Sequence, residues 1–299
     1  MQLLSISRTQ FASAVVFIAA SFWGIYWMPL RYLESRGVDG MTAVALLNLP
    51  AILPLLLLVG LTWRQYRPYW RQTLLVGFCT GMGIALYSSG VIYSSVVRAT
   101  LLFYLTPVWA TLIEIVWLKE RVVWSRWLAV FIGLSGMVLL LSEGDLGSQG
   151  KGDLLAFLSG IFWALGASMV RRYDQIPIAG MALGQFSFTA LGALVIGYLF
   201  APLALLHLEL TPSIVLVTCL VSLLIFMPVV TAIFWGQKLI NPGRAGLLMM
   251  SEVVVAVTSA SIILPEERMG VIEYMGALFI ISACIIEVFL AIQPKPRLV

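Results

Sequence analysis

The chain is nearly devoid of the side chains and motifs on which most enzymes and metal sites depend. Its 299 residues contain one histidine, His207, and three cysteines. No HExxH motif, CxxC pair or Walker A sequence occurs in them. Zinc hydrolysis, thiol redox chemistry and direct use of ATP each require one of these patterns. The sequence therefore argues against an enzyme, and we expect neither a metal ion nor any other cofactor.

Charge is equally scarce, since 11% of the residues are charged while 61% are hydrophobic, and the mean hydropathy is +1.00. A soluble protein could not bury so much apolar surface. The composition predicts an all-α polytopic membrane protein. Ten apolar runs are close to the ~20 residues that cross a bilayer: Phe11–Leu30, Met41–Leu61, Leu74–Tyr93, Ala99–Leu118, Arg126–Leu141, Leu154–Tyr173, Gly180–Phe200, Ser213–Trp235, Gly243–Leu264 and Val271–Ala291.

Most of the 18 basic residues, Arg126 and Arg244 among them, fall on one side of the membrane when the number of spans is even. The positive-inside rule makes that side cytoplasmic and places both termini there. Anionic lipid on the cytoplasmic face accounts for the formal net charge of +4. We therefore expect membrane lipid as a partner and no nucleic acid.

The chain contains an internal duplication. The stretch RATLLFYLTPVWATLIEIVWLKERV begins at Arg98, and RAGLLMMSEVVVAVTSASIILPEERM begins at Arg244 with its leucine pair and a glutamate at the same offsets. Five spans in each copy is an odd number, so the second copy enters the membrane from the opposite side. We predict two inverted five-helix repeats around a central cavity. They are residues 1–141 and residues 154–299 with a cytoplasmic tail, joined by an outside linker over 142–153.

The RAT, LTPVW and LKER segments of the first copy, and the weaker PEER echo at Pro265 to Arg268, resemble the EamA-type branch of the drug/metabolite transporter superfamily. Within it, the many aromatic residues in the spans and the pair Ser251-Glu252 are similar to bacterial aromatic amino acid exporters of the YddG type. The second copy departs from the first by having Glu252-Val253 where the first has Thr106-Pro107.

This resemblance implies a monomeric secondary transporter of the bacterial inner (cytoplasmic) membrane. Its small-molecule substrates would be neutral amino acids with an aromatic bias, or similar metabolites, exported by alternating access. A multidrug or cationic metabolite exporter of the same fold is the alternative.

Such a cavity needs aromatic faces for rings and ammonium groups, and hydroxyl or amide partners for polar groups. The candidate residues for such contacts lie near the middle of a span, and Trp23 and Trp163 are also related by the repeat. The predicted substrate-binding residues are Trp23, Tyr26, Tyr87, Trp109, Trp163, Phe226 and Ser251.

Two carboxylates are assigned to the interior of spans, Glu114 and Glu252. Glu114 lies about one turn from Lys119, where water or a basic partner can reach it. Glu252 lies near the middle of the ninth span, where a charge is costly unless it faces a wet cavity, finds a cation or is protonated. We predict a proton-responsive group there, with a neutral structural role left open. Pro107 and Pro228, near mid-depth, are the predicted hinges.

Overall fold

The computed structural model describes residues 7–94, 96–142, 150–202, 208–263 and 269–289. Within these ranges every regular element is helical. The helices are α1 (Arg8–Trp23), α2 (Trp27–Ser35), α3 (Gly40–Leu61), α4 (Trp63–Tyr66), α5 (Trp70–Tyr93), α6 (Val96–Phe103), α7 (Thr106–Val116), α8 (Trp124–Leu140), α9 (Lys151–Arg172), α10 (Ile178–Phe200), α11 (Pro212–Val221), α12 (Met227–Gln237), α13 (Pro242–Met249), α14 (Ser251–Ile263) and α15 (Val271–Phe289).

These helices form ten apolar spans in the described part of the chain. Nine segments are at least 18 residues long, and the tenth, α8, is slightly shorter. Helices α1–α2, α4–α5, α6–α7, α11–α12 and α13–α14 pair end to end as the first, third, fourth, eighth and ninth spans. The protein is thus an all-α, multi-pass membrane protein, as the composition predicts. His207, most of the 142–153 linker and the PEER segment lie outside the described residues.

Glycines bring the central spans into direct backbone contact. A Cβ atom added to Gly77 in the third span would lie 2.5 Å from the Cα of Gly184 in the seventh. One added to Gly136 in the fifth span would lie 2.7 Å from the carbonyl oxygen of Gly276 in the tenth. Small residues at such crossings allow close packing in lipid, where apolar burial drives little association. The third span therefore lies at the centre of the bundle, against the sixth and seventh spans.

Three spans are interrupted at similar depth. The first span breaks between Trp23 and Trp27, the fourth after Phe103 and the ninth after Met249. Phe103 and Met249 stand at the same offset that relates Arg98 to Arg244, so the second and third of these breaks are equivalent in the two repeats. Half-helices that end near the midplane are typical of transporter substrate sites.

Pro107 explains the break in the fourth span. Proline has no backbone N–H, so it leaves the carbonyl of Phe103 without its helical donor. The Thr106 hydroxyl donates to that carbonyl at 2.5 Å instead. The ninth span has no proline at the equivalent position, and there the Tyr104 hydroxyl donates to the Met249 carbonyl at 3.2 Å. The two breaks are therefore in direct contact.

Pro228 lies beside a second kind of irregularity. It follows a turn of π-helix at Ser222–Phe226, which joins α11 to α12 within the eighth span. A π-turn widens the helix by one residue and often lies at functional sites. Both predicted hinge prolines thus adjoin a local departure from α-helix, and their movement in transport stays a prediction.

Candidate functional site

A central cavity lies between the two repeats and consists of two connected chambers. The inner chamber has a volume of about 10 Å³ and the outer chamber about 160 Å³. Trp23, Tyr87 and Glu252 belong to the walls of both chambers. The inner chamber thus has room for about one water-sized group, and the outer chamber is larger.

The outer chamber faces the end of the bundle at which the linker joins the repeats. Its wall includes Leu30, Val96 and Leu141, which lie close to that end of the first, fourth and fifth spans. The inner chamber lies deeper and is bounded by Phe103, Trp163, Gln185, Phe234 and Met249, among others. The outer chamber therefore lies nearer the linker end of the bundle, and the inner chamber lies nearer the termini.

Two groups of aromatic rings face each other across this space. On one side, Trp23 stacks on Tyr26 with ring centroids 5.4 Å apart, and both rings contact Phe226 at 4.9 and 5.2 Å. On the other side, Tyr87 contacts Phe103 at 4.5 Å, and Phe103 contacts Tyr104 at 5.0 Å. Such arrays give flat apolar walls that also attract cations through the ring faces.

Glu252 lies between these two groups, in the first turn of α14 at the break in the ninth span. The amino end of a helix stabilises a negative charge through its free N–H groups and the helix dipole. The hydroxyl group of Tyr104 lies next to the Glu252 carboxylate. A Cβ on Gly24 would lie 2.4 Å from the Glu252 carbonyl oxygen, so the breaks of the first and ninth spans are pressed together. The carboxylate is thereby held at the point where three interrupted helices meet.

Of the predicted site residues, Trp23, Tyr26, Tyr87, Trp163 and Glu252 form part of the cavity wall. They come from the first, third, sixth and ninth spans, which no local pattern in the sequence connects. All five face one continuous space.

Three predicted residues are not brought to the cavity surface. Phe226 is 2% exposed and lies behind Trp23 and Tyr26, which it supports. Trp109 packs edge-on against Phe157 at 5.7 Å. The Ser251 hydroxyl donates to the carbonyl of Phe17 at 3.2 Å and contacts the Ser21 hydroxyl, so it joins the ninth span to the first.

The wall also includes residues that the sequence prediction did not single out. Phe103 and Gln185 line the inner chamber, and Trp27 lines the outer one. The indole N–H of Trp27 donates to Ser259 at 3.0 Å. Of these residues, Phe103 could have been predicted from the sequence. It lies four residues before Pro107, and a carbonyl that a proline leaves without its helical donor marks a possible helix break.

Towards the termini, the bundle contains a buried charge cluster. Arg126 pairs with Glu114 at 2.8 Å and with Glu287 at 2.9 Å, and all three side chains are at most 3% exposed. Asn241 donates to the other Glu114 oxygen at 2.6 Å. The cluster links the fourth and fifth spans of the first repeat to the ninth and tenth spans of the second.

Two residues predicted on the cytoplasmic side, Arg126 and Arg244, lie at the termini end of the bundle and are only 2% exposed. The guanidinium of Arg244 donates to the Val288 carbonyl at 3.1 Å. Glu287 is a third carboxylate inside a span, and it was missed because it lies near the end of the tenth apolar run. Paired opposite charges tolerate this burial, whereas single charges do not.

Polar groups at the same end connect the sixth and eighth spans. Arg171 donates to the Lys238 carbonyl at 2.6 Å, and the Lys238 ammonium donates to the Asp174 carbonyl at 2.8 Å. Burial lowers the pKa of Lys238, and burial together with nearby Glu114 raises the pKa of Glu120, whose carboxylate is 4.0 Å from Arg171. These contacts join the ends of the sixth and eighth spans on the side of the bundle that carries the termini.

Comparison with known proteins gives three findings. The model of the EamA-like transporter family matches residues 10–142 and 150–289. The uncharacterized transporter YyaM of Bacillus subtilis (strain 168) is 28% identical over 102 residues, covering 32% of this chain and 33% of that protein. This match thus spans about a third of the curated relative. A crystal structure with 19% sequence identity superposes with a TM-score of 0.75 over 94% of this chain and 98% of that chain, which shows the fold alone.

Proposed function

Because the chain belongs to the EamA-like transporter family, we propose that it is a secondary transporter that moves small aromatic, amine-bearing solutes by alternating access. The observation that carries this proposal is the central cavity between the two repeats, whose walls include Trp23, Tyr87 and Glu252 in both chambers. An alternating-access transporter must have such a cavity, with a seal on one side at a time.

The composition of the wall supports the proposed substrate. Rings of Trp23, Tyr26, Tyr87 and Trp163 line the space, and Glu252 is the one carboxylate residue among the described residues of its wall. Aromatic faces fit the ring of an aromatic amino acid, while an ammonium group can contact both a ring face and a carboxylate. Aromatic amino acids and the corresponding amines share these two features. Glu252 favours the second candidate, a transporter of cationic metabolites.

Uptake into liposomes tests the function directly. Liposomes that contain the purified protein should accumulate labelled phenylalanine or phenethylamine faster than protein-free liposomes, with and without an imposed pH gradient. If no aromatic amino acid or amine enters faster, the proposed function is wrong.

We also propose that the protein lies in the bacterial inner membrane, with both termini in the cytoplasm. Lys151 at the linker end and Arg67, between α4 and α5 near the start of the third span, are both exposed. In a cysteine-free background, a cysteine at position 151 should react with a membrane-impermeant maleimide in intact cells, and one at position 67 only after permeabilisation. Labelling of both from the same side would contradict the inverted repeats.

Substitution of Trp163 should change which substrates are recognised. The indole is 4% exposed, and it lines the inner chamber. An aromatic or cation contact there contributes roughly 0.5–2 kcal/mol. We expect Trp163→Ala to weaken recognition of phenylalanine or tryptophan by roughly tenfold, about 1.4 kcal/mol, and that of small neutral amino acids less. Competition against labelled substrate, normalised to folded protein, measures both.

Trp109→Ala is the matched control, because Trp109 is partly buried in a neighbouring span and packs on Phe157 away from the cavity. It should lower thermal stability and leave the order of substrates unchanged. If Trp163→Ala behaves in the same way as this control, Trp163 is a packing residue and does not contact the substrate.

A further inference from the structure

We propose that the inner chamber binds the ammonium group of an organic cation, so that the transporter selects aromatic amines that lack a carboxylate over zwitterionic amino acids. This inference rests on the proposed function, because it specifies the substrate of the same cavity. Its starting point is the charge of the wall. Among the described residues that line the two chambers, Glu252 is the one charged side chain.

A second acceptor lies in the same chamber. The side chain of Gln185 is 1% exposed, and its amide oxygen has no hydrogen-bond partner in the described parts of the chain. A buried carbonyl oxygen without a donor is costly, and a ligand that donates a hydrogen bond relieves that cost. An ammonium group carries several donors and no acceptor. It therefore fits both Gln185 and Glu252.

A substrate carboxylate would find no positive charge in the same space. Within the described ranges, Arg98 is paired with Asp153 at the linker end, and Arg126 with Glu114 and Glu287 towards the termini. None of these arginines lines either chamber. A carboxylate in the inner chamber would instead share a dry space with Glu252, and two like charges there repel strongly.

Backbone amides at the broken first span do not supply an anion site either. The N–H groups of Ile25, Tyr26 and Met28 already donate to carbonyls three residues earlier, at 2.9–3.3 Å. At the ninth span, Glu252 itself occupies the first turn of α14. Helix ends attract anions only where their N–H groups are free. The negative group at this site thus belongs to the protein, and the complementary ligand is positive.

Three ligands that differ by one group test the inference at about pH 7.5, where an alkylamine is charged. Phenethylamine carries ring and ammonium, phenylalanine adds a carboxylate, and 2-phenylethanol replaces the ammonium by a hydroxyl. We expect phenethylamine to bind at least about tenfold more tightly than either of the others. Quenching of intrinsic tryptophan fluorescence measures binding, and uptake into liposomes measures transport.

Two variants test whether the Glu252 carboxylate causes the preference for the amine. Glu252→Gln should bind phenethylamine and 2-phenylethanol with similar affinity, while Glu252→Asp keeps the charge and should keep the preference for the amine. Equal binding of phenylalanine and phenethylamine by the natural protein, with both transported, would overturn the inference and leave the proposed function intact. If neither compound enters liposomes faster than without protein, the proposed function and the inference both fail.

Discussion

Glu252→Gln is expected to transport phenethylamine, which stays charged between about pH 6 and pH 8, at a rate that no longer depends on pH. In the natural protein, protonation of Glu252 removes the one negative charge in the described cavity wall. Binding of the cation should then weaken as the pH falls and strengthen as it rises. The neighbouring titratable groups are the hydroxyls of Tyr87 and Tyr104, which stay neutral in this range. Glutamine keeps the shape of the side chain and cannot titrate.

The size of the effect follows from the low polarity of the site. Loss of a buried partner charge costs about 3–5 kcal/mol, so the affinity of Glu252→Gln should fall about a hundredfold or more. Phenethylamine is a suitable ligand because its ammonium group stays charged between about pH 6 and pH 8 and carries the hydrogen-bond donors that Glu252 and Gln185 can accept. Glu209→Gln, an exposed carboxylate before the eighth span, is the control and should keep the pH profile. An unchanged profile for Glu252→Gln would assign this residue a structural role.

Arg126→Leu is expected to destabilise the folded protein by about 3–5 kcal/mol. The guanidinium lies between Glu114 and Glu287, which are both fully buried. Among the described residues, Arg126 is the one basic residue within ion-pair distance of either carboxylate. Leucine would leave two buried carboxylates to be protonated or solvated. Thermal unfolding, followed by size-exclusion chromatography of heated samples, should show a clear loss of folded protein.

Removal of all three charged groups distinguishes the contribution of the ion pairs to stability from that of side-chain packing. The triple variant Arg126→Leu, Glu114→Gln, Glu287→Gln should recover part of the stability, because no carboxylate of the cluster remains without its cation. Recovery should be incomplete, because buried Arg244 then loses the nearby charge of Glu287. Arg121→Leu removes an exposed arginine on the same segment and should have little effect. A triple variant no more stable than Arg126→Leu alone would show that the arginine acts through its packing contacts.

The repeat and the proline together made some of the site predictable. The offset that relates Arg98 to Arg244 also relates the helix breaks after Phe103 and Met249, so the duplication located the centre of the bundle. Glu252 stood out for a simple reason: a lone carboxylate at mid-span is too costly to face lipid. Its place in the wall of the cavity agrees with that argument.

The sequence does not show whether an aromatic side chain points to the cavity, to a neighbouring helix or to lipid. In a soluble helix, polar residues identify the outer face, whereas in a membrane span both the lipid face and the packed face are apolar. Trp163 and Trp109 therefore look alike in sequence, although one lines the inner chamber and the other packs on Phe157. Depth could be estimated from the length of each run, but rotation about the helix axis could not.

The sequence by itself determined that this is a membrane protein of ten helical spans in two repeats, because apolar length and internal offset are properties of the chain. Only the tertiary structure decided which side chains meet. Arg126 and Glu287 are far apart in sequence, and their pairing depends on how the fifth and tenth spans pack. The lining of the cavity likewise combines residues of both repeats. Such contacts depend on how each helix is rotated about its axis and on close approach at glycines. The sequence does not show the rotation, because lipid-facing and buried residues of a span are equally apolar.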